Sequence, residues 1–126
     1  MKAATVLVVE DDEDLRETIA LALKSSGYVV REAANGRLAL ESIAERLPDA
    51  ILLDMRMPVM SGWQFAEHFH HRHGYGTPLI VVSAGADVQQ CSAQTQATDW
   101  LEKPFELDAL IAKLQAHLAP ERGFEG

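Results

Sequence analysis

Short apolar runs alternate along this chain with longer segments in which apolar residues recur every three or four positions. Four runs stand out, and three of them are rich in valine, isoleucine or leucine: 5–9, 28–30, 50–53 and 79–82. Apolar runs without polar alternation are typical of strands that are buried on both faces of a parallel sheet. A weaker run at 99–101 completes the set, so the pattern predicts five strands.

The segments between these runs carry apolar residues at helical spacing. They predict four helices, marked by apolar residues at 15–23, 38–47, 65–69 and 107–118, of which the third follows Gly62 and the last is the clearest. The segment 86–98 is polar and rich in small residues, and we expect a weak, mobile helix there. Gly27 and Pro48 mark the ends of the first two helices, and Asn35-Gly36 marks the start of the second.

A strand followed by a helix, repeated five times, predicts an α/β fold. In such a fold a parallel sheet carries helices on both faces, and the crossovers between strands are right-handed. The chain shows no internal repeat and no linker. We expect a single domain whose core covers about 4–119, followed by a short tail at 120–126.

Composition narrows the class of protein. The 126 residues are 48% hydrophobic, which suffices for a globular core, and they carry a net charge of −8. That charge disfavours direct binding to nucleic acids and to acidic membranes. Cys91 is the single cysteine, so no internal disulfide can form, and we interpret it as a structural or surface residue rather than a reactive thiol. No signal peptide is visible and the apolar runs are far shorter than a membrane span, so we expect a cytoplasmic protein.

Charged and polar side chains stand at the ends of four predicted strands. The acidic triplet 10–12 follows the first strand, Asp54 ends the third, Ser83 ends the fourth, and Lys103 follows the fifth. The carboxyl ends of parallel strands lie on one edge of the sheet, and ligands bind there at the point where strand order reverses. We therefore expect these groups to meet at one site.

Such a site suits metal-assisted phosphoryl transfer. Clustered carboxylates repel one another, and a hard divalent cation such as Mg²⁺ relieves that repulsion. Lys103 would add a second positive charge, Ser83 a hydrogen-bond donor, and a remaining carboxylate would act as the nucleophile that forms an acyl phosphate. Each part alone has a simpler explanation, since acids favour the start of a helix and serine is a common turn residue. The constellation at equivalent strand ends is stronger evidence than any one of its members.

Together these residues resemble the receiver domains of two-component response regulators. The resemblance covers about 4–119, and five stretches carry it: VVEDD at 8–12, LDMRMP at 53–58, SG at 61–62, VSA at 82–84 and KPF at 103–105. It implies a doubly wound, flavodoxin-like (CheY-like) sheet of five parallel strands in the order 2-1-3-4-5.

The resemblance also implies roles for the acids. Asp54 matches the phosphoacceptor of the family. Asp11 and Glu10 match the carboxylates that hold Mg²⁺ or Mn²⁺, and Asp54 and the backbone carbonyl of Arg56 would complete the protein ligands. Asp12 is a further acid, which we treat as a candidate modulator.

On the phosphoryl side, the resemblance implies that Lys103 pairs with the phosphoryl group and precedes a cis bond to Pro104. Ser83 would move to bond a phosphoryl oxygen. Trp100 occupies the place of the family's switch aromatic, where tyrosine or phenylalanine is usual, and it is either a switch or a fixed ring. Gln96 stands where receiver domains commonly have a glycine before the fifth strand, so we expect the segment 86–98 to depart from the shape that is usual in the family.

Two further positions are candidate modulators of the phosphoryl lifetime. Arg56 and Gly85 stand two places after Asp54 and Ser83, where the family's side chains tend to set how fast the phosphoryl group is lost. Of the two, Arg56 has a side chain that can contact the phosphoryl group.

The implied function is a switch that receives a phosphoryl group from a histidine kinase or a histidine phosphotransfer protein. Phosphorylation would change the face around the fourth helix, fifth strand and fifth helix, and with it the contacts to an unknown downstream protein. We expect a monomer or a weak phosphorylation-dependent dimer that catalyses only its own phosphorylation and dephosphorylation. If the chain is complete, it acts through protein contacts or as a phosphoryl relay; otherwise it is a piece of a larger regulator.

Three other classes are weighed against this one. A haloacid-dehalogenase-like phosphatase needs an aspartate two residues after its nucleophile, where Arg56 stands here. A flavin-binding module needs a first loop that cradles phosphate, and the acids at 10–12 would repel one. A degenerate receiver that binds proteins without phosphorylation is disfavoured by the intact acids, Ser83 and Lys103.

Four histidines crowd the end of the third predicted helix, at positions 68, 70, 71 and 73. No cysteine or carboxylate completes an obvious zinc site around them, so we interpret this segment as a solvated helix end. Trp63 is interpreted as a packing residue that lies close enough to the predicted site to report on it.

Overall fold

Five strands and five helices alternate in the part of the chain that the computed structural model describes, residues 3–85 and 87–118. In chain order they are β1 (Thr5–Val9), α1 (Glu13–Ser25), β2 (Val29–Ala33), α2 (Gly36–Glu45), β3 (Ala50–Asp54), α3 (Gly62–His73), β4 (Leu79–Ala84), α4 (Val88–Thr95), β5 (Asp99–Lys103) and α5 (Leu107–His117). The predicted α/β order is confirmed. The tail predicted at 120–126 lies outside the described residues.

The strands form one parallel sheet in the order β2-β1-β3-β4-β5, which confirms the doubly wound arrangement. Val9 at the end of β1 pairs with Ala33 of β2 on one side and with Leu53 of β3 on the other. The chain order therefore reverses at the boundary between β1 and β3. In this class of sheet the crevice for ligands lies at the carboxyl ends of the strands that flank the reversal.

Helices cover both faces of the sheet, and each face has its own apolar core. On one face Phe65 and Phe69 of α3 stack with their ring centroids 5.9 Å apart, and Ile43 of α2 joins the same core. On the other face α1 and α5 contribute Leu23 and Leu110, which are fully buried. Because both faces are covered, the central strands carry consecutive apolar residues rather than alternate ones, and their polar residues Thr5, Asp54 and Ser83 lie at or near the strand ends.

Polar side chains determine where three of the helices begin. The carboxylate of Asp12 accepts a hydrogen bond from the N–H of Leu15 at 3.2 Å, and Asn35 caps α2 in the same way at 2.9 Å. Ser61 and Gln64 form a reciprocal capping box at the start of α3. Each cap satisfies a backbone N–H that has no partner inside its own helix.

The bounds of β2 differ from the predicted run at 28–30. The strand covers Val29–Ala33 and so includes Arg31 and Glu32. It lies at the edge of the sheet, and Glu32 forms an ion pair with Arg16 of α1 at 3.2 Å. Side chains at an edge reach solvent and neighbouring helices, so the apolar pattern located this strand but not its second half.

The weak helix predicted within 86–98 is confirmed as α4, while its mobility stays a prediction. The helix ends at Gln96, whose φ of 54° lies in the left-handed region. Glycine is the usual residue at such a helix end, because other residues are strained there. Gln96, which stands where a glycine is expected, is therefore the C-cap of α4.

Cys91 is buried against the core on the α3 face, which agrees with a structural role. Burial is the main cause that raises the pKa of its thiol, and the charge of Asp87 acts in the same direction. A thiol with a raised pKa holds little thiolate, the form that reacts.

Among the described helices, none combines the length and the apolar character that crossing a membrane requires. The cytoplasmic location stays a prediction.

Candidate functional site

The carboxyl edge of the sheet brings four polar side chains together, as the sequence predicted. Glu10 follows β1, Asp54 is the last residue of β3, Ser83 lies near the end of β4, and Lys103 ends β5. The strand register aligns these ends, since Asp54 pairs with Val82 and the residue after Ser83 pairs with Lys103. Parallel pairing in this register makes one edge from residues that are far apart in the sequence.

Three carboxylates converge at this edge. One oxygen each from Glu10, Asp11 and Asp54 lies within 4.8 Å of the other two. Glu10 and Asp54 are only 3% and 5% exposed, while Asp11 is open to solvent. Among the described residues this is the only group of three or more potential ligands at such distances. Two buried acids and one exposed acid offer oxygen ligands on one side and leave the other side open, which fits Mg²⁺ with part of its water retained.

Lys103 lies between two of these acids. Its ammonium nitrogen is 3.0 Å from Oε1 of Glu10 and 3.5 Å from Oδ1 of Asp54. The peptide bond from Lys103 to Pro104 is cis, as the resemblance implied. The cation thus reaches from the edge strand β5 across the carboxyl ends of β4 and β3.

The surroundings of Asp54 oppose its ionisation. Burial is the largest cause that raises its pKa, from an ordinary 3.8 to about 7, and the negative charge of Glu10 adds to it. The charge of Lys103 acts in the opposite direction without cancelling the effect. A divalent cation bound beside Asp54 would favour the ionised carboxylate and so lower this pKa.

The same surroundings also raise the pKa of Lys103, which for an ammonium group favours the charged form. Burial tends to lower the pKa of its ammonium group, but the hydrogen bond to Glu10 and the charges of Asp54 and Glu10 outweigh that tendency and raise it. Lys103 therefore stays charged at neutral pH and supplies one permanent positive charge beside Asp54.

The loop after Asp54 is held by a close backbone approach. The N–H of Gly62 donates to the carbonyl of Met55 at 2.9 Å, and the N–H of Arg56 points at Oδ1 of Asp54 at 3.4 Å. A Cβ atom on Gly62 would lie 2.7 Å from the Cα of Met55, closer than real contacts allow. Glycine at this position lets the start of α3 press against the residue that follows the acceptor. The carbonyl of Arg56 as a metal ligand stays a prediction.

Asp12 and Arg16 support the acidic loop. The carboxylate of Asp12 caps α1. The backbone N–H of Asp12 donates to Oε2 of Glu10 at 3.2 Å. The guanidinium of Arg16 donates to the backbone carbonyl of Glu10 at 2.9 Å. The position of Asp12 gives it a structural role in the loop, where the sequence left its role open. Arg16 was missed, although its place on the first turns of α1, just after the acids, was a signal that it could reach back to them.

Ser83 is buried at the end of β4, and its hydroxyl donates to the neighbouring carbonyl of Ala84 at 3.3 Å. Gly85 follows with a φ of 92°, a conformation that side chains rarely adopt. Glycine is the residue that adopts this conformation most readily. The movement of Ser83 toward a phosphoryl group stays a prediction.

The side chain of Arg56 points toward α4 rather than toward Lys103. Its guanidinium pairs with Asp87 at 2.6 Å and lies 5.6 Å from the ring centroid of Trp63. The indole N–H of Trp63 in turn donates to Gln94 of α4 at 2.8 Å. These contacts connect the residue two places after the acceptor to both ends of α4. Asp87 was not singled out in the sequence, and a lone acid in a polar segment gave no signal.

Trp100 lies on the edge strand β5, where it pairs with Val81 of β4. Its ring is partly buried against the core on the α3 face, and the ammonium of Lys113 is 5.5 Å from the ring centroid. The ring thus bridges β5 and α5. Its role as a switch aromatic stays a prediction.

The histidine-rich end of α3 differs in part from the predicted solvated helix end. His68 and His71 are exposed, but His70 is partly buried and both of its ring nitrogens contact backbone carbonyls. The predicted solvated helix end therefore holds for His68 and His71 but is wrong for His70, because α4 and the residues after α3 pack against it, and His73 is also partly buried.

Comparison with known proteins assigns the family. The family model described as "Response regulator receiver domain" matches residues 6–115. The chain therefore belongs to the response regulator receiver domain family, and membership implies signalling by phosphorylation in two-component systems.

Relatives and solved structures agree with that assignment. The response regulator MprA of Mycolicibacterium vanbaalenii is 37% identical over 115 residues, which cover 90% of this chain and 49% of that protein. The chain spans about half the length of the curated relatives that it matches. The chemotaxis protein CheY4 of Vibrio cholerae superposes with a TM-score of 0.84 at 33% identity, covering 93% of this chain and 100% of that one. The receiver domain of NtrX from Brucella abortus superposes with a TM-score of 0.83 at 27% identity, covering 90% of this chain and 97% of that one.

Proposed function

We propose that the chain is a working phosphoacceptor, in which Asp54 takes a phosphoryl group from a histidine kinase or a histidine phosphotransfer protein with the help of Mg²⁺ or Mn²⁺. The observation that carries this proposal is the meeting of Glu10, Asp11 and Asp54 within 4.8 Å, with Lys103 at 3.5 Å from Asp54. A site that only stabilised the fold would not gather buried acids around a carboxylate whose pKa they raise.

The acceptor step is a displacement at phosphorus. An oxygen of the Asp54 carboxylate forms a bond to the phosphorus of a phosphohistidine, and the bond from phosphorus to the imidazole nitrogen breaks. The electron pair leaves with the imidazole, and the product on this chain is an acyl phosphate. A metal bound at Glu10, Asp11 and Asp54 would supply charge neutralisation for the phosphoryl oxygens during this transfer.

Two side chains of the site then stabilise the product. Lys103 already lies beside Asp54, and its ammonium group needs only to turn from the carboxylates toward a phosphoryl oxygen. The hydroxyl of Ser83 holds a single long hydrogen bond to Ala84, which a charged phosphoryl oxygen would replace with a stronger one. Both changes move groups at the ends of β4 and β5.

The output is a change of protein contacts. Phosphorylation biases a two-state equilibrium of the face formed by α4, β5 and α5, and a downstream protein binds one state better. The contacts of Arg56 with Asp87 and Trp63 support this route, since they connect the loop after the acceptor to α4. We propose that the receiver unit extends over 4–119, that it catalyses only its own phosphorylation and dephosphorylation, and that it is a monomer or a weak phosphorylation-dependent dimer.

The test is the mass of the protein after incubation with acetyl phosphate, with Mg²⁺ or with a chelator. We expect one phosphoryl group per chain with Mg²⁺ and none with the chelator. Asp54→Asn should abolish the adduct, whereas Asp108→Asn, an exposed aspartate at the start of α5, should keep it. An adduct that survives Asp54→Asn rejects the assigned acceptor, and an adduct that forms without metal rejects the metal's role.

A further inference from the structure

His70 lies where the carboxyl ends of two helices meet. Its Nδ1 is 2.9 Å from the carbonyl oxygen of Gly74, directly after α3, and its Nε2 is 2.9 Å from the carbonyl oxygen of Thr95, the last residue of α4. The final carbonyls of a helix have no donor inside that helix. The ring of His70 therefore contacts one such carbonyl at the end of α4 and the carbonyl of the residue that follows α3, and so joins the two helix ends.

Both contacts can be hydrogen bonds in one charge state of the ring only. A backbone carbonyl accepts and never donates, so each of the two ring nitrogens must carry a hydrogen. Neutral imidazole has one N–H and one bare nitrogen, and a bare nitrogen at 2.9 Å from a carbonyl oxygen sets two lone pairs against each other. The imidazolium has two N–H groups and satisfies both carbonyls.

Two further features favour a positive charge at this point. The carboxyl end of a helix carries a partial negative charge, and His70 contacts two such ends. The ring of Tyr75 stacks on it with centroids 4.2 Å apart, and the face of an aromatic ring attracts a cation. The hydroxyl of Tyr75 donates to Gln96 at 2.8 Å, which fixes the ring beside the left-handed end of α4.

The other titratable groups around the ring act in opposite directions, since a positive charge on His71 would repel a cation at His70 whereas the charge of Glu67 attracts one. Glu67 and His71 of α3 line the same groove of about 460 Å³ between α3 and α4, and Tyr75 forms part of its wall. The helix α4 presents no charged side chain, since its sequence is VQQCSAQT. Glu67 supplies the one negative charge among these groups, and it favours a cation nearby.

We propose that His70 is a proton-dependent clamp, which as an imidazolium ties the carboxyl end of α4 to α3 and releases it when the ring loses its second proton. The clamp exists only while both ring nitrogens carry a hydrogen. Histidine side chains in general gain or lose that second proton between about pH 5 and 8. Because α4 belongs to the proposed output face, proton binding at His70 would bias the switch. Only that last consequence rests on the proposed function.

The direct test counts hydrogens on the ring in the full chain, by nitrogen NMR of protein labelled at histidine. We expect two N–H groups on His70 near the lower end of that range, with hydrogen-bond couplings to the carbonyls of Gly74 and Thr95. His71 is an exposed neighbour on the same helix turn and serves as the internal control. We expect no such couplings for its ring. A single N–H on His70 under those conditions overturns the proposal.

A second readout is the amide exchange of the last turn of α4, corrected for the intrinsic effect of pH. The opening constant should rise about tenfold between about pH 6 and about pH 8, the loss expected for a charged group at a helix end. His70→Gln should remove this dependence, and His71→Gln should keep it. An equal pH dependence in His70→Gln and the wild type overturns the proposal. If His70→Gln fails to fold, the count of N–H groups on His70 by nitrogen NMR of the wild type is the test.

Discussion

The ammonium nitrogen of Lys103 lies 3.0 Å from Oε1 of Glu10, although the strands that lead to them are not neighbours in the sheet. Glu10 follows β1 near the centre, whereas Lys103 ends the edge strand β5. The long lysine side chain spans the ends of the two strands between them. In the metal-free protein Lys103 is therefore the counter-ion that allows Glu10 to stay buried.

Removing that counter-ion should destabilise the metal-free protein. Lys103→Met would leave Glu10 buried without a cation, and we expect a loss of about 2–4 kcal/mol at neutral pH, somewhat less than for a fully buried pair. Urea unfolding in the presence of a chelator measures the loss. Arg37→Met is the matched control, because Arg37 pairs with Glu41 at 3.4 Å on the exposed surface and should cost about 0.5 kcal/mol or less. Equal losses for the two variants would show that the buried pair is unimportant.

Asp54 should make the metal-free protein less stable as pH rises. Burial first, and then the charge of Glu10, raise its folded pKa to about 7 from an ordinary 3.8. The native state therefore binds this proton more tightly than the unfolded state. Between these two values stability falls with rising pH, and it levels off above the higher one.

The side chain in Asp54→Asn cannot ionise, so the stability of this variant should not fall with rising pH in the same way. The variant should therefore be more stable than the wild type by about 1–3 kcal/mol at about pH 8. At about pH 4 the difference should nearly vanish. Urea unfolding of both proteins across this pH range, without metal, measures the difference in their free energies of unfolding. Added Mg²⁺ should reduce that difference, because it should stabilise the wild type alone. Parallel stability curves for the two proteins would contradict the raised pKa.

Gly62→Ala should destabilise the fold by about 1–3 kcal/mol, the range for an overpacked contact. Its new Cβ would lie 2.7 Å from both the Cα and the Sδ of Met55. Alanine ordinarily favours a helix over glycine, so a loss here has the opposite sign from helix propensity. Thermal unfolding measures the effect. Gly76→Ala is the control, because its Cβ would meet nothing within 4 Å, and an equal loss at Gly76 would refute the steric reason.

Trp63 should be the main fluorescent reporter of the acceptor site. Arg56, two places after Asp54, lies over its ring at 5.6 Å, and a phosphoryl-like charge at Asp54 should draw the guanidinium away. We expect beryllofluoride with Mg²⁺ to change the tryptophan emission of the wild type, and Trp63→Phe to remove most of that change. Trp100→Phe should keep it. The reverse result would assign the signal to the ring on β5 and favour its role as a switch aromatic.

Much of the fold follows from the sequence because its causes are local. The apolar runs at 5–9, 50–53 and 79–82 mark strands that are covered on both faces, and their order with the helices determines a parallel sheet. The edge strand β2 was harder to bound, because Arg31 and Glu32 form polar contacts with the end of α2 and with α1 instead of continuing the apolar run. The meeting of Asp54, Asp11 and Lys103 followed from the topology, since parallel strands end at a common edge.

The pairing of individual side chains did not follow from the sequence. Which acid Lys103 contacts more closely depends on rotamers across three strand ends, and no spacing in the chain records it. The same holds for Arg56, whose partner Asp87 comes from a separate segment, and for His70, whose partners are backbone carbonyls. A backbone carbonyl has no residue-type signature, so no sequence pattern could have separated His70 from its exposed neighbours.

The site of phosphorylation tests the central claim most directly. Protein treated with acetyl phosphate and Mg²⁺ is reduced with borohydride, which converts an acyl phosphate to a stable alcohol, and the modified residue is located by peptide mass mapping. We predict that the modification lies on Asp54. A modification on Glu10, Asp11 or Asp12 instead would contradict the account, because the acids at the end of β1 would then be acceptors rather than metal ligands.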